Sequence, residues 1–204
     1  MRIRRIVLVS ACIAAFPALA SAHPIKGVGD FYAGVLHPLT SLDFVLPVTA
    51  LALLAGQQRR EGAITALGVF PISAVIGAAI SATLHISFVA FPNAAQWLGP
   101  ALMSVAGLFV ALSLRGPTLA VAALFAVSGL ILGLSQGFEI RPAMSASKFV
   151  LGVGCCSLIV TTYGIGLVRR LQRPWTLIAV RVAGSWVAAA GLMVLALAGN
   201  HAQR

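Results

Sequence analysis

Long apolar segments alternate with short polar turns along most of the 204-residue chain. Several of these segments reach or approach the ~20 residues that a helix needs to cross a bilayer. The turns between them contain proline, glycine, asparagine or arginine, which commonly end helices. The pattern predicts an all-α fold: a polytopic bundle of six transmembrane helices in a single domain, without a soluble domain or an internal repeat. The predicted spans are approximately 36–56, 63–84, 97–114, 118–137, 149–168 and 175–199.

A further apolar stretch lies at the amino terminus. The basic residues MRIRR precede the run IVLVSACIAAFPALA, and Ala20-Ser21-Ala22 provides the small residues of a cleavage site. These features predict a signal peptide over residues 1–22, which is cleaved to leave a domain over 23–204. The alternative is an uncleaved additional span.

The arginines between the spans predict an orientation, because cytoplasmic loops carry an excess of positive charge. Alternate loops contain six of them: Arg59, Arg60, Arg115, Arg169, Arg170 and Arg173. The opposite loops and the tails contain four basic residues: Lys26, Arg141, Lys148 and Arg204. We therefore predict a multi-pass protein of the bacterial inner membrane, with the mature amino terminus and the carboxyl terminus outside.

The composition supports a membrane protein. Apolar residues make up 60% of the chain, charged residues only 9%, and the mean hydropathy is +1.01, whereas a soluble domain is roughly 25% charged. The net charge of +10 could indicate nucleic-acid binding, but the basic residues are dispersed between helices. No nucleophile–base pair, phosphate-binding loop or cluster of metal ligands is visible in the sequence, so we expect neither an enzyme nor a nucleic-acid partner.

Two polar residues stand out at the start of the first predicted span. Asp43 lies about two turns into it, where a charge costs at least ~2.5 kcal/mol unless it faces a cavity or a partner. Asp43 is therefore the strongest functional candidate, and pairing with an arginine or a backbone donor is the alternative. His37-Pro38 is typical of a helix start, so His37 is either a ligand or an interfacial residue that caps the helix.

The fourth predicted helix carries a second polar group. Residues 132, 136 and 139 share one helical stripe, in which Gln136 and Glu139 are polar. Both polar groups lie toward the outer ends of their helices, so we expect them to meet in an outward-facing site. The alternative for Glu139 is a local pair with Arg141. A glycine stripe on the same helix, Gly129, Gly133 and Gly137, predicts close helix packing.

Two further histidines are weaker candidates. His85 ends the second predicted span on the outer side, where a single interfacial histidine is commonly structural. His23 would be the first mature residue, and its α-amine and imidazole could bind a transition metal. Pro24 removes one backbone N–H that such chelation would use.

The chain resembles the HupE/UreJ family of bacterial membrane proteins. The layout is similar: a signal peptide, a mature His-Pro start and six spans. His37-Pro38-Leu39 followed by Asp43 is similar to the family's His-Pro-Leu-x-Gly-x-Asp-His in the first span. Gly133, Gly137 and Glu139 are similar to its His-Gly-x-Ala-His-Gly-x-Glu in the fourth span.

The chain also departs from these motifs. Ser41 replaces the glycine, and three histidine positions hold other residues: Phe44, Leu132 and Gln136. A site with so few imidazoles is expected to bind nickel more weakly and to suit harder cations.

The resemblance implies a secondary permease for nickel, cobalt or a related divalent cation. The metal is a transported substrate, and no permanently bound cofactor is expected. The implied ligands are His37, Asp43, Gln136 and Glu139, with His23 and His85 as weaker candidates. A proton-coupled role for Asp43 or Glu139 is a further option. The alternative is a non-transporting relative that acts as an accessory or structural membrane subunit; oligomeric state and protein partners cannot be read from the sequence.

Overall fold

The computed structural model describes residues 29–84, 92–140, 143–171 and 173–202. The predicted signal peptide, His23, His85 and Arg141 lie outside these ranges. Within them every regular element is an α-helix, which confirms the all-α prediction. The helices are α1 (Asp30–Thr40), α2 (Leu42–Gln57), α3 (Arg60–Leu84), α4 (Pro92–Ala111), α5 (Thr118–Gly137), α6 (Ala146–Arg170) and α7 (Pro174–Ala202).

Several of these helices are suited to a bilayer. Four stretches are long and apolar enough to cross it: α3, α5, α6 and Pro174–Gly199 of α7. α1 and α2 together form a bent pair of sufficient length, and Trp97–Ala111 of α4 is a shorter apolar helix. Large apolar side chains also face outward, such as Leu119 at 81% and Trp186 at 75% exposure. The chain is therefore a multi-pass membrane protein, while the count of six spans stays a prediction.

The first predicted span is not one continuous helix. α1 already begins at Asp30, contains Pro38, and meets α2 at an angle of 78°. The prediction that His37-Pro38 starts the helix is therefore wrong, because His37 lies in the last turn of α1. It follows that residues on either side of Ser41 do not share one helical face.

Local hydrogen bonds account for the break at Ser41. Its backbone is extended, with φ −92° and ψ 111°. Its hydroxyl donates to the carbonyl oxygen of His37 at 2.9 Å, and the Thr40 hydroxyl donates to the same oxygen at 3.0 Å. Serine and threonine compete in this way with the helical hydrogen-bond ladder. The carbonyl group of His37, in the last turn of α1, is thus satisfied without continuing the helix.

The helices pack in three groups through small residues. α1 and α2 lie on α6, α3 lies on α5, and α4 lies on α7. Contacts of α6 with α3 and of α2 with α4 join the groups. A Cβ at Gly133 would overlap the backbone of Ala74, and one at Gly184 would overlap the side chain of Val110. Such glycines let helix backbones approach closely. The predicted packing role of the stripe on α5 is what the structure shows: Gly129, Gly133 and Gly137 all contact α3.

Candidate functional site

An open cleft of about 680 Å³ contains both Asp43 and Glu139. Its walls come from α2, α4, α5 and α7, and apart from the two carboxylates they are mainly apolar, with Met103 and Leu132 among them. We call this cavity the acidic cleft. Two carboxylates in one apolar-walled cavity form a negative site, because the low-dielectric walls focus their field.

The break at Ser41 determines where Asp43 lies. The side chain was predicted to lie two turns inside a span, but it occupies the first turn of α2 and is exposed to the cleft. The amino terminus of a helix carries a partial positive charge, which stabilises a carboxylate there by about 0.3–1 kcal/mol. The fold therefore accommodates the charge of Asp43 without an arginine in its immediate sequence.

Glu139 approaches His37 from a different helix. It follows the end of α5, and its backbone N–H donates to the carbonyl oxygen of Gln136 at 3.2 Å. Its Oε2 lies 4.0 Å from His37 Nε2, with side-chain exposures of 57% for Glu139 and 15% for His37. The structure thus places the polar residues of α1 and α5 beside each other. A pair this long and exposed contributes little to stability, roughly 0–1 kcal/mol.

The His37 ring is held by neighbours on both sides. Its Nε2 lies 3.4 Å from the Ser41 hydroxyl, and its ring centroid lies 6.3 Å from that of Phe149 on α6. The ring edge that carries Nε2 therefore lies near both the Ser41 hydroxyl and the Glu139 carboxylate. His37 is therefore neither a helix-start cap nor a freely solvated residue.

Gln136 does not join the other candidates in the acidic cleft. It is 2% exposed and does not line the cleft, although Leu132 and Glu139 on the same stripe do. Its Oε1 has no hydrogen-bond partner among the described residues. An unsatisfied buried acceptor costs about 1–3 kcal/mol. Gln136 is thus a buried polar residue beside the α3–α5 contact, where the Ser81 hydroxyl is likewise unpaired among the described residues.

No complete metal site is preformed in the described part of the chain. There, no three side chains of the types histidine, cysteine, aspartate and glutamate lie close enough together to hold a metal ion. The arrangement offers the His37–Glu139 pair and, in the same cleft as Glu139, the Asp43 carboxylate. It can attract a cation electrostatically, and oxygen ligands suit hard divalent cations.

The positions at which the sequence motifs lack histidine are buried. Phe44 is 1% exposed, and Leu132 and Gln136 are each 2% exposed. Phe44 and Leu132 belong to the same hydrophobic core. Apolar packing therefore occupies two of these positions, while both carboxylates remain exposed.

Some functional contacts were not predicted from the sequence. Asp30 accepts a hydrogen bond from the backbone N–H of Ser145 at 2.9 Å, which fastens the start of α1 to the residue before α6. An acidic residue at the start of an apolar segment is only a weak signal for such a hydrogen bond between two segments. At the other end of the bundle, Arg181 Nε donates to the carbonyl oxygen of Ala111 at 2.8 Å, at the end of α4.

The fold and the cleft define a class: an all-α, multi-pass membrane protein with an acidic cavity between its helices. The HupE / UreJ protein family model matches residues 11–194, and the chain belongs to this family. Protein HupE of Rhizobium leguminosarum bv. viciae is 29% identical over 182 residues, which cover 89% of this chain and 92% of that protein. No solved structure matches the chain significantly.

Proposed function

We propose that the protein is a secondary permease of the inner membrane for nickel, cobalt or a related divalent cation. The observation that carries the proposal is the acidic cleft, in which Asp43 and Glu139 line one cavity within a membrane-spanning bundle. Family membership and the similarity to HupE support it. Charged residues among transmembrane helices commonly mark ion pathways.

In this proposal the cleft captures the cation from outside. Asp43 and Glu139 supply negative charge, and His37 supplies an imidazole beside Glu139. The ion keeps part of its hydration shell, since only a few protein ligands surround it. The proposed orientation, with both termini outside, places this cleft on the side from which a nutrient metal arrives.

Metal uptake tests the proposal directly. Cells that express the wild type should accumulate nickel or cobalt above cells with an empty vector. Asp43→Asn should reduce the initial uptake rate by about tenfold or more, because losing one charge–cation interaction removes at least about 1.4 kcal/mol. Radioactive uptake over the first minutes measures this difference.

Glu61→Gln provides the matched control. Glu61 is an exposed carboxylate in the first turn of α3 and does not line the acidic cleft. The Glu61→Gln variant should retain wild-type uptake at equal expression. Uptake by the wild type no higher than that of empty cells would refute the permease function. An uptake rate of Asp43→Asn equal to that of the wild type would show that Asp43 takes no part in transport.

A non-transporting accessory subunit is the second candidate. It is favoured by the apolar residues Phe44 and Leu132 at two motif positions and by the lack of a three-ligand metal cluster among the described residues. This candidate predicts that the purified protein binds no nickel or cobalt saturably. Asp43-dependent binding would exclude it.

A further inference from the structure

A second cavity lies between α2, α4 and α5, away from the acidic cleft. It has a volume of about 270 Å³ and is lined by residues such as Leu54 of α2, Gln58 directly after α2, Phe109 of α4 and Phe125 of α5. Arg115, in the turn between α4 and α5, also lines it. We call it the Arg115 pocket. It lies at the carboxyl-terminal end of α2, whereas Asp43 and the acidic cleft lie at the amino-terminal end.

The two cavities lie at opposite ends of one interface between α2, α4 and α5, which we call the seam. On α5, Leu132 lines the acidic cleft and Phe125 lines the Arg115 pocket, and this i, i+7 spacing puts them on the same helical face. On α2, Leu46 lines the cleft and Leu54 lines the pocket. Eight residues of helix separate these leucines, which corresponds to about 12 Å along the axis.

Small, fully buried residues occupy the seam between the cavities. Ala50 of α2, Ala106 of α4 and Ser128 of α5 are each 0% exposed. Ala50 and Ala106 belong to one hydrophobic core with Leu132 and Phe125. The Ser128 hydroxyl donates to the carbonyl oxygen of Leu124 at 2.7 Å. Along their helices these three positions fall between residues that line the two cavities, and they are here called the constriction (Ala50, Ala106 and Ser128). Larger core side chains such as Leu51 and Val110 fill the same region.

The three helix groups meet at this seam. α2 belongs to the group with α1 and α6, α5 is paired with α3, and α4 is paired with α7. Within the pairs the backbones contact through glycine, but α2 and α5 scarcely approach each other at the backbone. Side chains alone fill the space between α2 and α5, whereas α6 contacts α3, where a Cβ at Gly154 would overlap the Val75 side chain, and α2 contacts α4. A shift of one group against another would keep the glycine contacts within each group and would slide the α3–α6 and α2–α4 contacts. Transporters alternate access by such rocking of rigid groups around a fixed pathway.

Charge differs between the two ends of the seam. Asp43 and Glu139 line the acidic cleft, whereas Arg115 is the charged residue that lines the Arg115 pocket. A cation is therefore attracted at the cleft and repelled at the pocket, so the pocket suits release better than retention.

We propose that this seam is the cation pathway and that the Arg115 pocket is its release site. The structure then represents a state that is open at the acidic cleft and closed at the constriction. The inference rests on the proposed permease function for its cargo, while the geometry of the seam can be tested without any metal.

Accessibility of single cysteines tests the seam. In a background with Cys12, Cys155 and Cys156 replaced by alanine, one cysteine is introduced at a time, as Ser135→Cys in the cleft, Ser128→Cys in the constriction or Val121→Cys in the pocket. A membrane-impermeant methanethiosulfonate reagent is applied to right-side-out and inside-out vesicles. We expect Ser135→Cys and Val121→Cys to react from opposite sides. Ser128→Cys should react at least about tenfold more slowly than both, since Ser128 is 0% exposed and lines neither cavity, whereas Ser135 lines the cleft and Val121 lines the pocket.

Two outcomes would overturn the proposal. One is reaction of Ser135→Cys and Val121→Cys from the same side, and the other is rapid reaction of Ser128→Cys. Val127→Cys, on an exposed position of α5 that lines neither cavity, controls for lipid-facing thiols and should not react with the impermeant reagent. If the labelling is as expected but the cells take up no metal, the seam is supported and the proposed cargo is refuted. The failure of the pathway and the failure of the permease function are therefore distinguishable.

Discussion

At the scale of single residues, Asp43 and Phe44 show how neighbours can have separate roles. Asp43 is exposed to the acidic cleft, whereas Phe44 is 1% exposed and packs in the hydrophobic core. The buried ring of Phe44 anchors the first turn of α2, and the adjacent carboxylate faces the acidic cleft. Phe44 is therefore a structural residue at a position where the sequence motif led us to expect a metal ligand.

Substitutions of Phe44 test this assignment. Phe44→Ala should lower the free energy of unfolding by about 3–5 kcal/mol, because it leaves a cavity in the core. Phe44→His should also destabilise the protein, since it buries a polar ring, and it should not tighten nickel binding. Thermal unfolding in detergent measures both effects, with the exposed Leu119→Ala as a control that should change little. Nickel-dependent stabilisation of Phe44→His would show that residue 44 faces a metal site after all.

At the scale of helices, the break between α1 and α2 is the feature that shapes the cleft. It creates a helix amino terminus beside Asp43 and leaves His37 in the last turn of α1, next to Glu139. The hydrogen bond from the Ser145 backbone to Asp30 holds the far end of α1 against α6. A straight first span would place His37 and Asp43 on one continuous helix and lose this arrangement.

Glycine substitutions test the close contact between α3 and α5. Gly133→Ala should destabilise the protein by about 1–3 kcal/mol, because the new methyl group overlaps the Ala74 backbone. Gly68→Ala is the matched control within α3, since no atom lies within 4 Å of its added Cβ. The control should be neutral or more stable by up to ~1 kcal/mol from helix propensity. Equal stability changes in the two variants, measured by thermal unfolding, would refute the close contact.

At the scale of the whole molecule, three helix groups surround a seam with a negative cavity at one end and a positively charged pocket at the other. The glycine contacts keep each group together, and side chains fill the seam between α2 and α5. This division separates the close glycine contacts within the groups from the side-chain packing between α2 and α5. It also separates the residues that attract a cation from those that hold the helices together.

The sequence predicted the helical class and the packing role of the α5 glycines, because both depend on local patterns of apolar and small residues. It did not predict the bend at Ser41, because two small polar residues, Thr40 and Ser41, do not by themselves end an apolar segment that resumes in α2. The burial of Gln136 could not be read from the sequence for a similar reason. Helical spacing placed Gln136 on a stripe with Glu139, but only the packing against α3 decides which side of that stripe is buried.

Equilibrium binding of nickel or cobalt to the purified protein tests the central claim, that the acidic cleft binds a divalent cation. The account predicts saturable binding by the wild type and by Glu61→Gln. It predicts affinity weakened by about tenfold or more in Asp43→Asn and in Glu139→Gln, through loss of one charge each. Equal affinity in all four proteins, or no saturable binding by the wild type, would contradict it.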